Sequence, residues 1–116
     1  MDKTARMRGV IAAIATPIDD AGLPDAERFL KLARHLLDNG CDGLNVLGTT
    51  GEATSFTVEE RLSLMRSVAG SGLDLSRMMV GTGASATGDA VALTAAAAEL
   101  GFAGALVLPP FYYKGV

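Results

Sequence analysis

Four short apolar runs, each leading into a loop and separated by stretches with helical spacing, constrain this chain more than anything else in it. The runs start near residues 9, 43, 78 and 104. The first, Gly9-Val10-Ile11-Ala12-Ala13-Ile14, shows no polar–apolar alternation. Such a run suits a strand covered on both faces, as in a parallel sheet. Gly43-Leu44-Asn45-Val46-Leu47, Met78-Met79-Val80 and Ala105-Leu106-Val107-Leu108 read as the second, third and fourth strands.

The intervening stretches carry helix signals. Pro24 and Asp25 open the first, with Asp25 as N-cap, and Gly40 stops it. Phe29, Leu32, Ala33, Leu36 and Leu37 recur at helical spacing and predict its buried face. Thr57-Val58-Glu59-Glu60 is a capping box at the start of the second helix. Val58, Leu62, Met65 and Val68 predict its apolar stripe, and Gly70 and Gly72 its end. A third helix spans about Thr87 to Leu100, packs through Leu93, Ala97 and Leu100, and ends at Gly101. The order is β-α-β-α-β-α-β, which right-handed crossovers wind into a parallel sheet. Two architectures fit: a small open doubly wound sheet, or the first half of a (β/α)8 TIM barrel.

In either one, ligands bind in loops leaving the carboxyl ends of strands. The loop after the second strand is Gly48-Thr49-Thr50-Gly51-Glu52. Its glycines allow close backbone approach or positive φ. Its adjacent hydroxyls and loop N–H groups suit a small anion such as a carboxylate. The plainer reading is a glycine-rich turn in which Thr makes local backbone bonds. The loop after the third strand, Gly81-Thr82-Gly83-Ala84-Ser85-Ala86, matches G-x-G-x-x-A. A dinucleotide site of that kind also needs an acid at the end of the next strand, and Ala105 to Pro110 contains none.

The remaining composition narrows the function. Net charge is −3, with 10 basic and 13 acidic residues, and no basic stripe with interleaved aromatics points to nucleic acid. No apolar run approaches the roughly 20 residues of a membrane span. Cys41 is the single cysteine, which suits a cytoplasmic setting; as a small apolar residue it reads as core. His35 lacks a neighbouring ligand or nucleophile and reads as a surface or packing residue. No metal or organic cofactor is expected.

The pentapeptide at residues 48–52 resembles the signature loop of the dihydrodipicolinate synthase / N-acetylneuraminate lyase family, the pyruvate-dependent class I aldolases. Ala15-Thr16-Pro17, Gly81-Thr82-Gly83 and Pro110-Phe111-Tyr112-Tyr113 match in order and spacing, so the resemblance spans essentially the whole chain. It implies the barrel rather than the open sheet, and a lyase of lysine biosynthesis or a related aldolase. It also implies that residues 1–116 are the N-terminal part of one barrel domain, whose C-terminal half is absent from this chain. A complete barrel takes about 250 residues. Open strand edges would then make the piece unstable alone and by itself inactive.

The resemblance also implies roles. Thr50 would bind the pyruvate carboxylate together with the Gly48 and Gly51 backbone, and Thr49 would pass protons in a hydroxyl relay. Tyr112 would complete that relay from a neighbouring subunit, which implies a homodimer or homotetramer. Thr16 would line the pocket floor, and Glu52 would bond nearby backbone. The Schiff-base lysine and the catalytic tyrosine of a Y-x-x-P motif would lie on later strands, beyond Val116. Lys3, Lys31 and Lys114 are expected to be solvated instead. Thr49-Thr50 leans toward dihydrodipicolinate synthases or sugar-acid aldolases, and Phe111-Tyr112-Tyr113 leans away from synthases. The aldehyde, aspartate semialdehyde or a sugar-derived one, stays open.

Overall fold

The computed structural model describes residues 8–108. Tyr112, Lys3 and Lys114 lie outside them. Within them the elements are β1 (Ile11–Ala13), α1 (Ala26–Asp38), β2 (Gly43–Val46), α2 (Val58–Ala69), β3 (Met78–Gly81), α3 (Thr87–Leu100) and β4 (Gly104–Leu106), with short 3-10 turns at Ala53–Ser55 and Leu75–Arg77.

The helix boundaries follow local chemistry. The Asp25 carboxylate accepts from Arg28 N at 3.1 Å and caps α1. Thr57 Oγ1 accepts from Glu60 N, and Glu60 Oε1 accepts from Thr57 N, so the capping box of α2 is complete. Gly101, at φ 97°, ends α3 in the left-handed region that glycine enters without strain.

All strand pairs are parallel, in the order β1-β2-β3-β4. This order never reverses, so right-handed crossovers place every helix on one side of the sheet. A doubly wound sheet needs a reversal and helices on both faces. The winding is that of a barrel wall. The helices form one layer, with α1 packed on α2 and α2 on α3. On the helix side, Ala12, Leu44 and Met78 share one register row, with Val46 and Val80 in the next row along. They pack with Phe29, Ala33, Leu64, Met65, Val68, Leu93 and Ala97 into a single core.

Three expectations are corrected. Strand β1 is covered on one face only: Ile11 and Ala13, which point away from the helices, are exposed. The apolar run was long enough for two-sided burial, but among the described residues nothing covers that face. On α2, the buried face is Arg61, Leu64, Met65 and Val68, with Val58 and Leu62 only partly buried. Cys41 is half-buried rather than core, because it lies in the turn entering β2, where its carbonyl accepts from Arg77 Nη2 at 2.8 Å.

Candidate active site

The site begins where β2 ends. Leu47 follows the strand with φ 56° and is buried. A left-handed leucine costs roughly 1–2 kcal/mol, so packing around it must hold it there. The chain then turns through Gly48, Thr49, Thr50 and Gly51 to Glu52, whose φ is 54°. Glu52 N donates to Thr49 O at 3.0 Å and Ala53 N to Gly48 O at 3.3 Å, which folds these carbonyls back toward the 3-10 turn. The remaining donors of the loop stay open. Among the described residues, the N–H groups of Thr49, Thr50 and Gly51 and the hydroxyls of Thr49 and Thr50 make no hydrogen bond. Local backbone bonding by the two threonines, the plainer reading, is therefore not what the loop shows.

Thr16, buried just after β1, donates through Oγ1 to Gly51 O at 2.8 Å. A Cβ on Gly51 would lie 3.1 Å from both Ile14 O and Thr16 Oγ1, so glycine lets the loop lie down on the end of β1. Thr16 thus ties the loop rather than facing the cavity. Glu52 is exposed, and its backbone makes the loop bonds expected of its side chain.

A cavity of about 110 Å³ lies between this loop and the ends of β3 and β4. It is lined by Leu47, Gly48, Thr49, Ala53, Thr54, Arg61, Gly81, Gly83, Leu106 and Leu108. Of the residues expected at the site, Gly48 and Thr49 line it. Thr50 stands exposed beside it, and Gly51 and Thr16 support the loop from behind. The volume is well below the roughly 300–1,000 Å³ of pockets for drug-sized ligands.

The opposite wall depends on a residue the sequence did not single out. Arg61 is only 3% exposed. Its Nη2 donates to Gly81 O at 2.8 Å and its Nη1 to Gly83 O at 3.0 Å, while Nε is buried without a partner among the described residues. Burial pushes the guanidinium pKa down from its ordinary value, and the Asp89 carboxylate opposes that shift. The signal in the sequence was positional: Arg61 shares the i, i+3, i+4, i+7 face of Leu64, Met65 and Val68. Next to it, Thr82 is fully buried and its hydroxyl accepts from Thr94 Oγ1 at 2.7 Å. The G-x-G-x-x-A stretch therefore has its glycine carbonyls and its threonine hydroxyl already engaged. With no reversal of strand order beside it, it lacks the setting of a nucleotide site. Among the described residues, no group of three or more His, Cys, Asp or Glu is placed to hold a metal, and no helix is long and apolar enough to cross a membrane.

A one-way parallel sheet with open hydroxyl and amide donors at its carboxyl end is the arrangement of a (β/α)8-barrel enzyme. The chain belongs to the dihydrodipicolinate synthetase family, whose sequence model it matches over residues 6–116. It is 42% identical over 105 residues to 4-hydroxy-tetrahydrodipicolinate synthase of Prochlorococcus marinus, covering 90% of this chain and 35% of that protein. A prophage protein of the dihydrodipicolinic acid synthase family from E. coli K12, solved in complex with pyruvate, superposes with a TM-score of 0.86 at 28% identity, over 97% of this chain and 38% of that one. N-acetylneuraminate lyase of Proteus mirabilis superposes with a TM-score of 0.83 at 33% identity, over 95% and 37%. The four-stranded sheet is the N-terminal portion of their barrel fold, and the chain spans about 35% of the length of the curated relatives it matches.

Proposed function

We propose that the protein carrying this chain is a pyruvate-dependent class I aldolase of the 4-hydroxy-tetrahydrodipicolinate synthase kind. The observation that carries this reading is the loop at residues 48–51, where, among the described residues, three N–H groups and two hydroxyls stand open beside a small cavity. That donor set matches a carboxylate, which accepts through two oxygens. Thr50 and the loop N–H groups hold the pyruvate carboxylate. Thr49, which lines the cavity, passes protons to and from the bound intermediate.

The chemistry needs an amine. A lysine condenses with the pyruvate ketone, releasing water, and the resulting enamine attacks the aldehyde carbon. Lys31 is exposed on α1 and is not that lysine. The residue comes from a later strand of the barrel domain, of which this chain forms the N-terminal part. Tyr112 completes the proton relay in a neighbouring subunit of a homodimer or homotetramer. A single cysteine fits a cytoplasmic enzyme.

The likeness to N-acetylneuraminate lyase supports a second reading, in which the aldehyde is sugar-derived. The synthase reading is preferred because curated relatives at 40–42% identity share that name. The test is intact mass after incubation with pyruvate and borohydride, followed by turnover with aspartate semialdehyde or a sugar-derived aldehyde. A reduced pyruvate adduct and turnover of aspartate semialdehyde are expected. An adduct with turnover of the sugar-derived aldehyde alone would select the second reading, and no adduct would overturn both.

A further inference from the structure

We propose that Arg61 is the positioning residue of this site: its guanidinium fixes the Gly81–Gly83 backbone as the wall against which the strained Leu47–Gly48 turn is pressed. In naming the ligand as pyruvate, this inference rests on the function proposed above.

The linkage can be followed atom by atom. Arg61 holds the carbonyls of residues 81 and 83 through two separate nitrogens, at 2.8 and 3.0 Å. A planar fork can bridge two such carbonyls, whereas a lysine ammonium is a single point of charge. Gly81, at the end of β3, lies hard against the turn: a Cβ there would sit 2.1 Å from Leu47 O and 3.3 Å from Gly48 Cα. Leu47 holds its left-handed conformation at this contact, and Thr49 follows two residues later. The opposite side of the loop is tied by Thr16 to Gly51. The loop is therefore held from two sides, directly by one hydroxyl just after β1 and, through the Gly81–Gly83 backbone, by one guanidinium from α2.

The burial of Arg61 fits this role better than a role in packing alone. A charge taken out of water is unfavourable unless it is well paired, and an apolar residue of similar volume would fill the space as well or better. Among the described residues no carboxylate lies within salt-bridge distance of Arg61, so its direct partners are carbonyls and Asp89 acts on it only at longer range. Among the described residues its Nε has no partner. The side chain is oriented by the loop it holds, not by the best solvation of its own charge.

The test compares Arg61→Met and Arg61→Lys in the protein carrying this chain, by hydrogen exchange and pyruvate kinetics. The amides of Glu52 and Ala53 report the turn, because they donate to Thr49 O and Gly48 O. In Arg61→Met they are expected to exchange about tenfold faster, with the α1 amides unchanged. KM for pyruvate is expected to rise about tenfold while kcat falls less, because the carboxylate donors are displaced. Arg61→Lys is expected to recover part of both. Exchange that rises equally in α1, or a KM within about twofold of the parent in both variants, overturns the proposal. If Arg61→Met does not fold, Arg61→Lys decides by the same two readouts. If the parent protein forms no pyruvate adduct, the functional reading falls, yet the exchange comparison still tests whether Arg61 holds the turn.

Discussion

Two loops of this protein look alike as sequence and differ in what they do. Gly48-Thr49-Thr50-Gly51 and Gly81-Thr82-Gly83 both leave the carboxyl end of a strand, and both combine glycine with threonine. In the first, the N–H groups of residues 49–51 and the two hydroxyls make no hydrogen bond among the described residues and stand beside a cavity. In the second, two carbonyls are taken by Arg61 and the Thr82 hydroxyl by Thr94. The glycines differ in purpose as well. Gly51 lets its own loop settle on β1, whereas Gly81 lets β3 approach its neighbour's loop. A glycine-rich βα loop is thus a ligand site only when its donors are left over after the fold has used what it needs. The second loop is part of the support of the first.

The largest effect that would break this contrast is steric. Gly81→Ala places a Cβ 2.1 Å from a backbone oxygen, and neither strand end moves freely. It is expected to destabilise the protein by about 3 kcal/mol, measured by urea unfolding. In Gly48→Ala the nearest neighbour of the new Cβ is the side-chain amide of Asn45, at 2.7 Å, which can rotate away, and about 1 kcal/mol is expected. Equal effects would mean that β3 does not press on the first loop.

A smaller effect sharpens the other half of the contrast. Thr50 is exposed and makes no hydrogen bond among the described residues, so Thr50→Val should leave the melting temperature unchanged. If the proposed function holds, KM for pyruvate of the protein carrying this chain is expected to rise about tenfold, equivalent to roughly 1.4 kcal/mol. An unchanged KM would remove Thr50 from the carboxylate site.

The parts that were legible in the sequence are those settled within a few residues. The Asp25 cap, the Thr57–Glu60 box and the glycine stop at Gly101 are each decided by contacts at most four residues apart. The loop at residues 48–52 was legible because its donors are consecutive. Arg61 was not, because its partners lie 20 and 22 residues away and its charge argues for solvent even though its spacing puts it on the buried face. The open face of β1 was missed for a related reason: an apolar run reports that a strand is to be covered, but not what covers it. The direction of winding lay between these cases. The order of strands and helices was readable, but the choice between barrel and doubly wound sheet depends on which strands become neighbours, a non-local fact.

The smallest predicted effect is the most discriminating. Thr82→Val keeps the shape of a fully buried side chain and removes only its hydroxyl. Thr94 Oγ1, half-buried on α3, then loses the acceptor it now reaches at 2.7 Å. Losing one such neutral hydrogen bond should cost about 1 kcal/mol of stability. Because that hydroxyl faces Thr94 rather than the cavity, KM for pyruvate should stay within about twofold of the parent. If instead stability holds and KM rises, the Thr82 hydroxyl is exchanged between Thr94 and a ligand. The second loop would then be a ligand loop in its own right, and the division between a binding loop and a supporting loop would fail at the residue where it is now sharpest.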